Sequence, residues 1–343
     1  METHWHLEWP HGALDLHALG GMLGGVRLRV DGDRWVRPFY EAPWIGEGKT
    51  LEPKLLEHLR SEFPCVPFGG TYPAEALVPA WQKCVDAQPS SADFPLGPID
   101  DVVHGPGCVS NWTLEKLDGN GITIAVNYPS SSPISRLERT VRCDPDRPAI
   151  DLSLTIESRA HARRPVGLHP NLALPATPGA FRIVPGAFRF GVVHPVGPEK
   201  GVSRARPGAV FDDLRRVPLA AAGTAPFDRL PFAYDTEEIV QLCGSDGRVT
   251  LINDEEQIAY QLTWDSAQLP SLLLWMSNRG RTGTPWSGRN VCVGVEPLAG
   301  VFDLGSRAAL AENPISSHGV ETALLLDPAS PTTISYRFEV LAH

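Results

Sequence analysis

The chain has 343 residues, which is enough to bury a large hydrophobic core as one large domain or two ordinary ones. Its formal charge of -10 argues against a nucleic-acid backbone as partner, because that recognition rests on clustered lysine and arginine side chains. The 32 glycines and 33 prolines are scattered along the sequence, a composition that favours many short strands separated by turns over long helices.

Apolar residues that alternate with polar ones predict strands from the beginning of the chain onward. The run VRLRV precedes an Asp31-Gly32 turn, and Trp35 follows it, so we predict a β-hairpin there. Helical spacing is clear only in PKLLEHLRSEF, residues 53–63, where leucines recur three and four positions apart. One short helix is therefore expected on a β scaffold.

Further apolar runs predict most of the remaining strands. In chain order these runs are GITIAVNY, IDLSLTI, EIVQLC, RVTLIND, IAYQLTW, SLLLWM, NVCVGV and TTISYRFEVL. The Pro- and Gly-rich stretch from about residue 177 to 231 still contains strand-like pieces, and we interpret it as long loops within the same domain. The predicted fold class is all-β: a large antiparallel β-sandwich with few short helices, forming a single domain over residues 1–343.

Cysteine usage and hydropathy indicate the compartment. The six cysteines show no CxxC spacing, and the chain begins without a basic, apolar leader. Reduced thiols in the cytoplasm are the simplest interpretation. No apolar stretch approaches the roughly 20 residues of a membrane span, so we expect no membrane partner.

Three familiar motifs do not fit. GEGKT resembles the end of a phosphate loop, but Pro43 occupies the position of its first glycine. Gly-x-Ser-x-Gly, the nucleophile motif of serine hydrolases, is missing. The histidines considered below lack the close spacing of metal-binding β-barrels, and we therefore expect no metal and no cofactor.

Three distant segments each place one ionisable residue beside a proline or glycine. They contain His104 in VVHGPGCVSNW, His169 in VGLHPNLAL and Glu296 in VCVGVEPLAG. Two imidazoles and one carboxylate are what a protein needs to give a proton to one oxygen and take a proton from another near neutral pH. The prolines after His169 and Glu296 disfavour helical backbone, and Gly105 after His104 allows a sharp turn or close approach.

The same segments resemble those of one enzyme family. In order, FPCVPFGG, HGPGCVSNW, VGLHPNLAL, PSLLLW and VCVGVEPLAG resemble the aldose 1-epimerase (galactose mutarotase-like) family. The opening GGMLGGVRL and RPFYEAPW and the closing NPISSHGVETALLLDP extend the resemblance over nearly the whole chain. It implies a single supersandwich domain that binds a carbohydrate and interconverts its α and β anomers without a cofactor.

The resemblance also implies roles for individual residues. Glu296 would be the general base, His169 the general acid, and His104 a sugar-binding residue that assists the acid. Asp235 in FAYDTEE is the nearest counterpart of an aspartate that contacts sugar hydroxyls, and Asn171 follows the His169 motif as a further expected contact. Three tryptophans are candidates to stack on the apolar face of the sugar, and these are Trp112, Trp275 and Trp286.

Two departures from the family pattern leave the substrate open. The family's commonest members carry arginines where this chain reads Gly69-Gly70-Thr71-Tyr72 and Pro106-Gly107-Cys108. A positive group from elsewhere would suit an anionic sugar, and the candidates are Arg34, Arg37, Arg279 and Arg281. A sugar-phosphate epimerase and a non-catalytic carbohydrate-binding protein stay as alternatives on the same fold. The oligomeric state is also open, with a homodimer as one alternative.

Overall fold

The computed structural model describes residues 3–87, 95–197, 199 and 201–341, and strands dominate these ranges. The strands of the first half are β1 (His4–Trp9), β2 (Gly12–His17), β3 (Leu23–Asp31), β4 (Arg34–Val36), β5 (Pro64–Cys65), β6 (Thr113–Asp118), β7 (Gly121–Asn127), β8 (Ile134–Cys143), β9 (Ala149–Ser158), β10 (Ala162–Arg164), β11 (Val166–Leu168) and β12 (Asn171–Ala173). Those of the second half are β13 (Phe181–Pro185), β14 (Phe190–Val193), β15 (Val210–Phe211), β16 (Val217–Pro218), β17 (Thr224–Ala225), β18 (Arg229–Leu230), β19 (Thr236–Cys243), β20 (Arg248–Asn253), β21 (Ile258–Trp264), β22 (Ser271–Asn278), β23 (Val291–Ala299), β24 (Leu324–Leu326) and β25 (Thr332–Leu341). The α-helices are α1 (Pro79–Val85) and α2 (Gly305–Leu310), and 3₁₀ helices cover Lys54–His58, Ala74–Ala76, Pro98–Asp101, Pro106–Val109, Leu214–Arg216 and Ser316–His318.

Two large sheets carry the architecture. One sheet has nine strands in the order β18-β13-β20-β21-β25-β9-β8-β7-β6. The other has eight, running β15-β14-β19-β22-β23-β11-β5 with β12 also paired to β23. β1 to β4 form a separate four-stranded sheet, and the strands of all these sheets pair antiparallel. The predicted all-β antiparallel sandwich is confirmed.

The eight-stranded sheet is buried on both faces. All residues of β22 are buried, and its side chains alternate between two hydrophobic clusters. Leu272 and Leu274 pack into the core shared with the nine-stranded sheet, whereas Leu273 and Trp275 face a second cluster on the opposite side. This second face, covered by loops and both α-helices, is where a cleft can form without disturbing the sandwich core.

The strand predictions hold for each of the named runs. The hairpin around Asp31-Gly32 is β3 and β4, and the eight later runs are β7, β9, β19, β20, β21, β22, β23 and β25. EIVQLC and RVTLIND are consecutive strands, but they lie in different sheets. The turn at Ser245–Gly247 therefore carries the chain from one layer of the sandwich to the other.

The helix predicted over residues 53–63 was wrong in extent. Only Lys54–His58 is helical, as a 3₁₀ turn, because Leu59 leaves helical backbone at ψ 110° and Ser61 adopts φ 36°. Pro64 disfavours helix at the preceding Phe63 as well. Helices α1 and α2 were not predicted, since seven and six residues are too short to show a clear period. None of the helices in the described ranges is long and apolar enough to cross a bilayer.

A buried ion pair ties the cleft-side loop to the nine-stranded sheet. Glu62 and Arg139 are both almost completely buried and form a salt bridge, and the Tyr336 hydroxyl donates to Glu62 Oε1 at 2.8 Å. Arg139 Nη1 also donates to the Gly21 carbonyl at 2.8 Å. Glu62 directly precedes Phe63 and Pro64, so this network fixes the segment that leads into β5.

Replacing Arg139 with methionine should leave the Glu62 carboxylate buried without its partner. We expect a loss of about 3–5 kcal/mol in the free energy of unfolding, measured by urea denaturation. Arg136→Gln, on the same strand, breaks only partly exposed ion pairs and should cost about 1 kcal/mol or less. Equal effects of the two variants would contradict a structural role for the buried pair.

Candidate active site

A cavity of about 290 Å³ lies on the second face of the eight-stranded sheet. His104, His169 and Glu296 all line it, although they are far apart in the sequence. The structure therefore brings together the three residues that sequence analysis singled out. Apolar side chains of the segment around the first 3₁₀ helix, among them Leu56 and Leu59, cover part of the cavity.

Glu296 projects into the cavity from β23. Its side chain is 2% exposed, and Oε1 lies 3.5 Å from Nε2 of His169. Gly294, two residues earlier on the same face, makes room for it, since a Cβ there would lie 2.2 Å from Oε1. Gly294 was not predicted as part of the site, and only its place in VGVEP could have suggested it.

His169 lies between β11 and β12 and is held by the segment that leads into β5. Its backbone N–H donates to the Phe63 carbonyl at 2.9 Å, and its ring stacks on the Phe63 ring with centroids 4.7 Å apart. The His104 ring stands edge-on to it at 5.1 Å. Nδ1 of both imidazoles is buried without a protein hydrogen-bond partner among the described residues.

The His104 segment is held in an unusual backbone conformation. His104 itself adopts φ 59°, which is uncommon for a residue with a side chain, and such strain is often concentrated at functional sites. Gly105 follows at φ 81°, where an added Cβ would lie 1.9 Å from the Val66 carbonyl oxygen. The close backbone approach predicted for Gly105 is confirmed, and it fixes the His104 ring at the cavity wall.

Asp303 is a site residue that sequence analysis missed. Its carboxylate lines the cavity and accepts hydrogen bonds from the Tyr72 hydroxyl at 2.7 Å and from His194 Nε2 at 2.8 Å. It comes seven residues after Glu296, just beyond the end of β23, which is the signal that could have found it. In the described part of the chain, no group of three or more His, Cys, Asp and Glu side chains is arranged to hold a metal ion.

Burial keeps the central groups in their uncharged forms. Burial raises the pKa of the Glu296 carboxyl well above its ordinary value, and the Asp303 carboxylate raises it further. Burial also lowers the pKa of His169 well below its ordinary value, and His104 adds to that effect. Burial lowers the pKa of His104 to about 4, against the opposing influence of Asp303. Both shifts favour the uncharged form of the Glu296–His169 pair, with the proton on the carboxyl group.

Asp303 contrasts with Glu296 although both are buried. Burial acts to raise the pKa of Asp303, but hydrogen bonding and charge interaction with His194, together with the Tyr72 hydrogen bond, lower it far below its ordinary value. Asp303 is thus a fixed negative charge in the cavity wall. It favours protonation of every titratable group that faces it.

One wall of the cavity combines two tryptophans with a charged pair. Trp275 and Trp286 line the cavity beside Arg281, whose Nε lies 2.9 Å from Oε1 of Glu237. The Trp275 ring centroid is 6.0 Å from that of His169. The indole therefore borders directly on the Glu296–His169 pair.

Several predicted contacts lie away from the cavity. Trp112 is buried in the sandwich core, where its indole N–H donates to the Gly107 carbonyl at 2.9 Å. Asn171 is buried and donates to the carbonyl of His169 at 3.2 Å, so it supports the histidine backbone. Asp235 is exposed and paired with Arg279 at 2.7 Å. None of these four residues is among those that line the cavity, and their roles toward a sugar stay predictions.

Of the other arginines considered as positive groups, neither Arg34 nor Arg37 lines the cavity. The Arg34 guanidinium donates to the carbonyl of Glu256, and Arg37 is exposed. Arg281 is therefore the one member of the predicted set that the structure places in the cavity wall.

Comparison with known proteins locates the fold. The sequence matches no protein-family model and no curated protein. Solved structures do match, including a galactose mutarotase-like protein from Lactobacillus casei at 14% identity and TM-score 0.61, covering 99% of this chain and 100% of that one. An aldose epimerase homologue from C. elegans has 10% identity and TM-score 0.64, covering 100% and 99%. A galactose mutarotase related enzyme from Lactobacillus acidophilus has 14% identity and TM-score 0.57, covering 99% and 97%. The chain has the galactose mutarotase-like fold.

The depressed pKa of His104 should be visible in the pH dependence of stability. Because the folded protein holds His104 neutral down to about pH 4, the unfolded chain binds the extra proton between about pH 6.5 and 4. Stability contributed by this group is then present above pH 6.5 and lost as the pH falls toward 4.

The measurement is urea denaturation of the wild type and His104→Gln at pH 7 and pH 5. We expect the wild type to lose more stability between the two pH values than the variant does. A histidine NMR titration that places the His104 pKa near 6.5 would contradict the assignment.

Proposed function

We propose that the protein is an aldose 1-epimerase, a mutarotase that interconverts the α and β anomers of an aldose by general acid-base catalysis. The observation that carries this proposal is the Glu296–His169 pair, a carboxyl group and an imidazole 3.5 Å apart in a cavity of about 290 Å³. That volume is at the lower end of small-molecule pockets, about 300–1,000 Å³, which suits a monosaccharide. The names of the structural neighbours support the same activity.

The reaction needs two proton transfers and no net change in charge. In the reacting form the proton of the pair sits on His169. The Glu296 carboxylate takes the proton of the O1 hydroxyl while the His169 imidazolium gives its proton to the ring oxygen. The C1–O5 bond breaks, C1 becomes an aldehyde carbon, and the C1–C2 bond rotates. Closure on the other face returns both protons.

The Glu296–His169 pair suits these reaction steps, because one of its two protonation states is the one before ring opening and the other is the one after it. Carboxylate with imidazolium is the form that opens the ring, and carboxylic acid with neutral imidazole is the form that results. Burial favours the neutral arrangement in the free protein, as the pKa directions of Glu296 and His169 indicate. Sugar hydroxyls and the Asp303 carboxylate would stabilise the imidazolium when substrate binds.

Neighbouring residues have supporting roles in this proposal. His104, edge-on to His169 at 5.1 Å, would hydrogen-bond a sugar hydroxyl and stabilise the acid. Trp275 offers an apolar face next to the pair, against which the C–H groups of a pyranose can pack. No cofactor takes part in any step.

We also propose a compartment, a domain organisation and a substrate class for the enzyme. We place it in the cytoplasm, as a single domain over residues 1–343 that acts on a small carbohydrate. The six cysteines are buried free thiols, which fits a reducing compartment. A sugar-phosphate epimerase is less favoured, because Arg281 is the one lysine or arginine among the described residues that line the cavity.

The test is the rate of anomer exchange, followed by NMR for a panel of neutral and acidic aldoses. Wild type should accelerate exchange for at least one sugar, and Glu296→Gln should reduce that acceleration by roughly a hundred- to ten-thousand-fold. Glu312→Gln, at an exposed position, is the matched control and should retain full activity.

Two outcomes would contradict the assignment. Full activity in Glu296→Gln, with folding verified by circular dichroism, would show that the base is another residue. A wild type that binds a sugar but leaves its exchange at the buffer rate would establish a carbohydrate-binding protein instead.

A further inference from the structure

We infer that the substrate is an anionic aldose that carries a carboxylate on C5, and that Arg281 binds this group. The inference rests on the proposed function and names the class of sugar that the same cavity accepts. Arg281 would then determine specificity from a part of the cavity wall whose residues take no part in proton transfer.

Arg281 is fixed in place by side chains that are themselves fixed. Its guanidinium carbon lies 4.5 Å from the Trp286 ring centroid and 5.9 Å from that of Trp275. Glu237, whose Oε1 forms an ion pair with Arg281 Nε at 2.9 Å without hydrogen-bond geometry, has no exposed side-chain surface. Glu237 in turn accepts from the Trp275 indole N–H at 2.6 Å and from the Ser277 hydroxyl at 2.8 Å. The positive group is therefore oriented before any ligand arrives.

The outer edge of the guanidinium is available to a ligand. Within the described ranges, the two terminal nitrogens of Arg281 donate no hydrogen bond to a protein acceptor, while its side chain is 25% exposed. A planar fork of N–H groups matches the two oxygens of a carboxylate. The position combines rigidity with unused donors, as expected for a residue that recognises an anion.

The position of Arg281 indicates which carbon carries the charge. The Trp275 ring centroid lies 5.9 Å from the Arg281 guanidinium carbon and 6.0 Å from the His169 ring centroid. In the proposed reaction His169 protonates the ring oxygen, and C5 is bonded to that oxygen. C1, the other carbon bonded to the ring oxygen, is the one at which Glu296 acts, so we assign the substituent that reaches past Trp275 to Arg281 to C5.

The charge balance of the cavity favours a single negative charge on the ligand. One guanidinium faces the cavity, and Glu237 already offsets part of its charge. Asp303 contributes a further negative charge to the wall, which would repel a phosphate carrying close to two charges near pH 7. A carboxylate needs one bidentate partner, and Arg281 supplies it.

The experiment compares D-glucuronate and D-galacturonate with glucose, galactose and glucose 6-phosphate in the NMR exchange assay at pH 7. We expect the highest kcat/KM for a uronate. Arg281→Gln should lower that value roughly 10- to 100-fold, mainly through KM, because hydrogen bonds to a charged group contribute this much. Neutral sugars should change less than about threefold in the same variant.

Two further variants distinguish binding of the carboxylate by Arg281 from a general effect of removing an arginine. Arg281→Lys keeps the charge but loses the planar fork, so its loss on a uronate should be intermediate. Arg289→Gln is the matched control, since Arg289 pairs with Glu47 at 2.6 Å and does not line the cavity. It should leave the uronate kinetics unchanged.

Failure of this inference can be told from failure of the proposed function. Equal losses on neutral and acidic sugars in Arg281→Gln, or a preference for glucose 6-phosphate, would overturn the inference and leave the epimerase standing. If no sugar is accelerated, the epimerase proposal fails, and saturation-transfer NMR of glucuronate then decides the binding question. Binding that weakens in Arg281→Gln supports the inference, and binding that is absent or unchanged overturns it.

Discussion

Burial of a carboxyl group beside an imidazole is the constraint on which the site depends. Glu296 and His169 lie 3.5 Å apart at a place where water is largely excluded, so separate charges on them are costly. A proton that moves within the pair leaves the total charge unchanged. Burial therefore favours the uncharged arrangement in the free protein, and in the proposed reaction bound substrate and the Asp303 carboxylate would stabilise the charged one.

The fold supplies this pair by using the second face of a sheet. β22 and β23 bury one face in the sandwich core and turn Trp275 and Glu296 toward the cavity. The segment that positions His169 is tied to the opposite sheet through the Glu62–Arg139 pair and Tyr336. Glu296 is thus held by a strand and His169 by a segment tied to the opposite sheet, while loops cover the cavity; in the proposed function these loops would determine which sugar enters.

Sequence analysis recovered the strands because their apolar runs are long and regular, as in β9 and β25. It found His104, His169 and Glu296 because proline or glycine marks each of them. Asp303 carries no such local mark. His194 does precede a proline, Pro195, but the local sequence does not reveal its partner, because its hydrogen bond to Asp303 joins residues 109 positions apart. Trp112 shows the opposite case, a residue that the sequence suggested for the site. A tryptophan near a site motif can equally fill the core, as Trp112 does. Side-chain direction and long-range pairing are tertiary properties that no local pattern determines.

The protonation state of Glu296 in the free protein tests the central claim most directly. Infrared difference spectroscopy at pH 7, comparing wild type with Glu296→Gln, isolates the carboxyl of this one residue. The account predicts the C=O band of a protonated carboxylic acid in the wild type and its loss in the variant. A difference spectrum that shows only the bands of an ionised carboxylate would contradict the claim that burial holds the proton on Glu296 in the free protein.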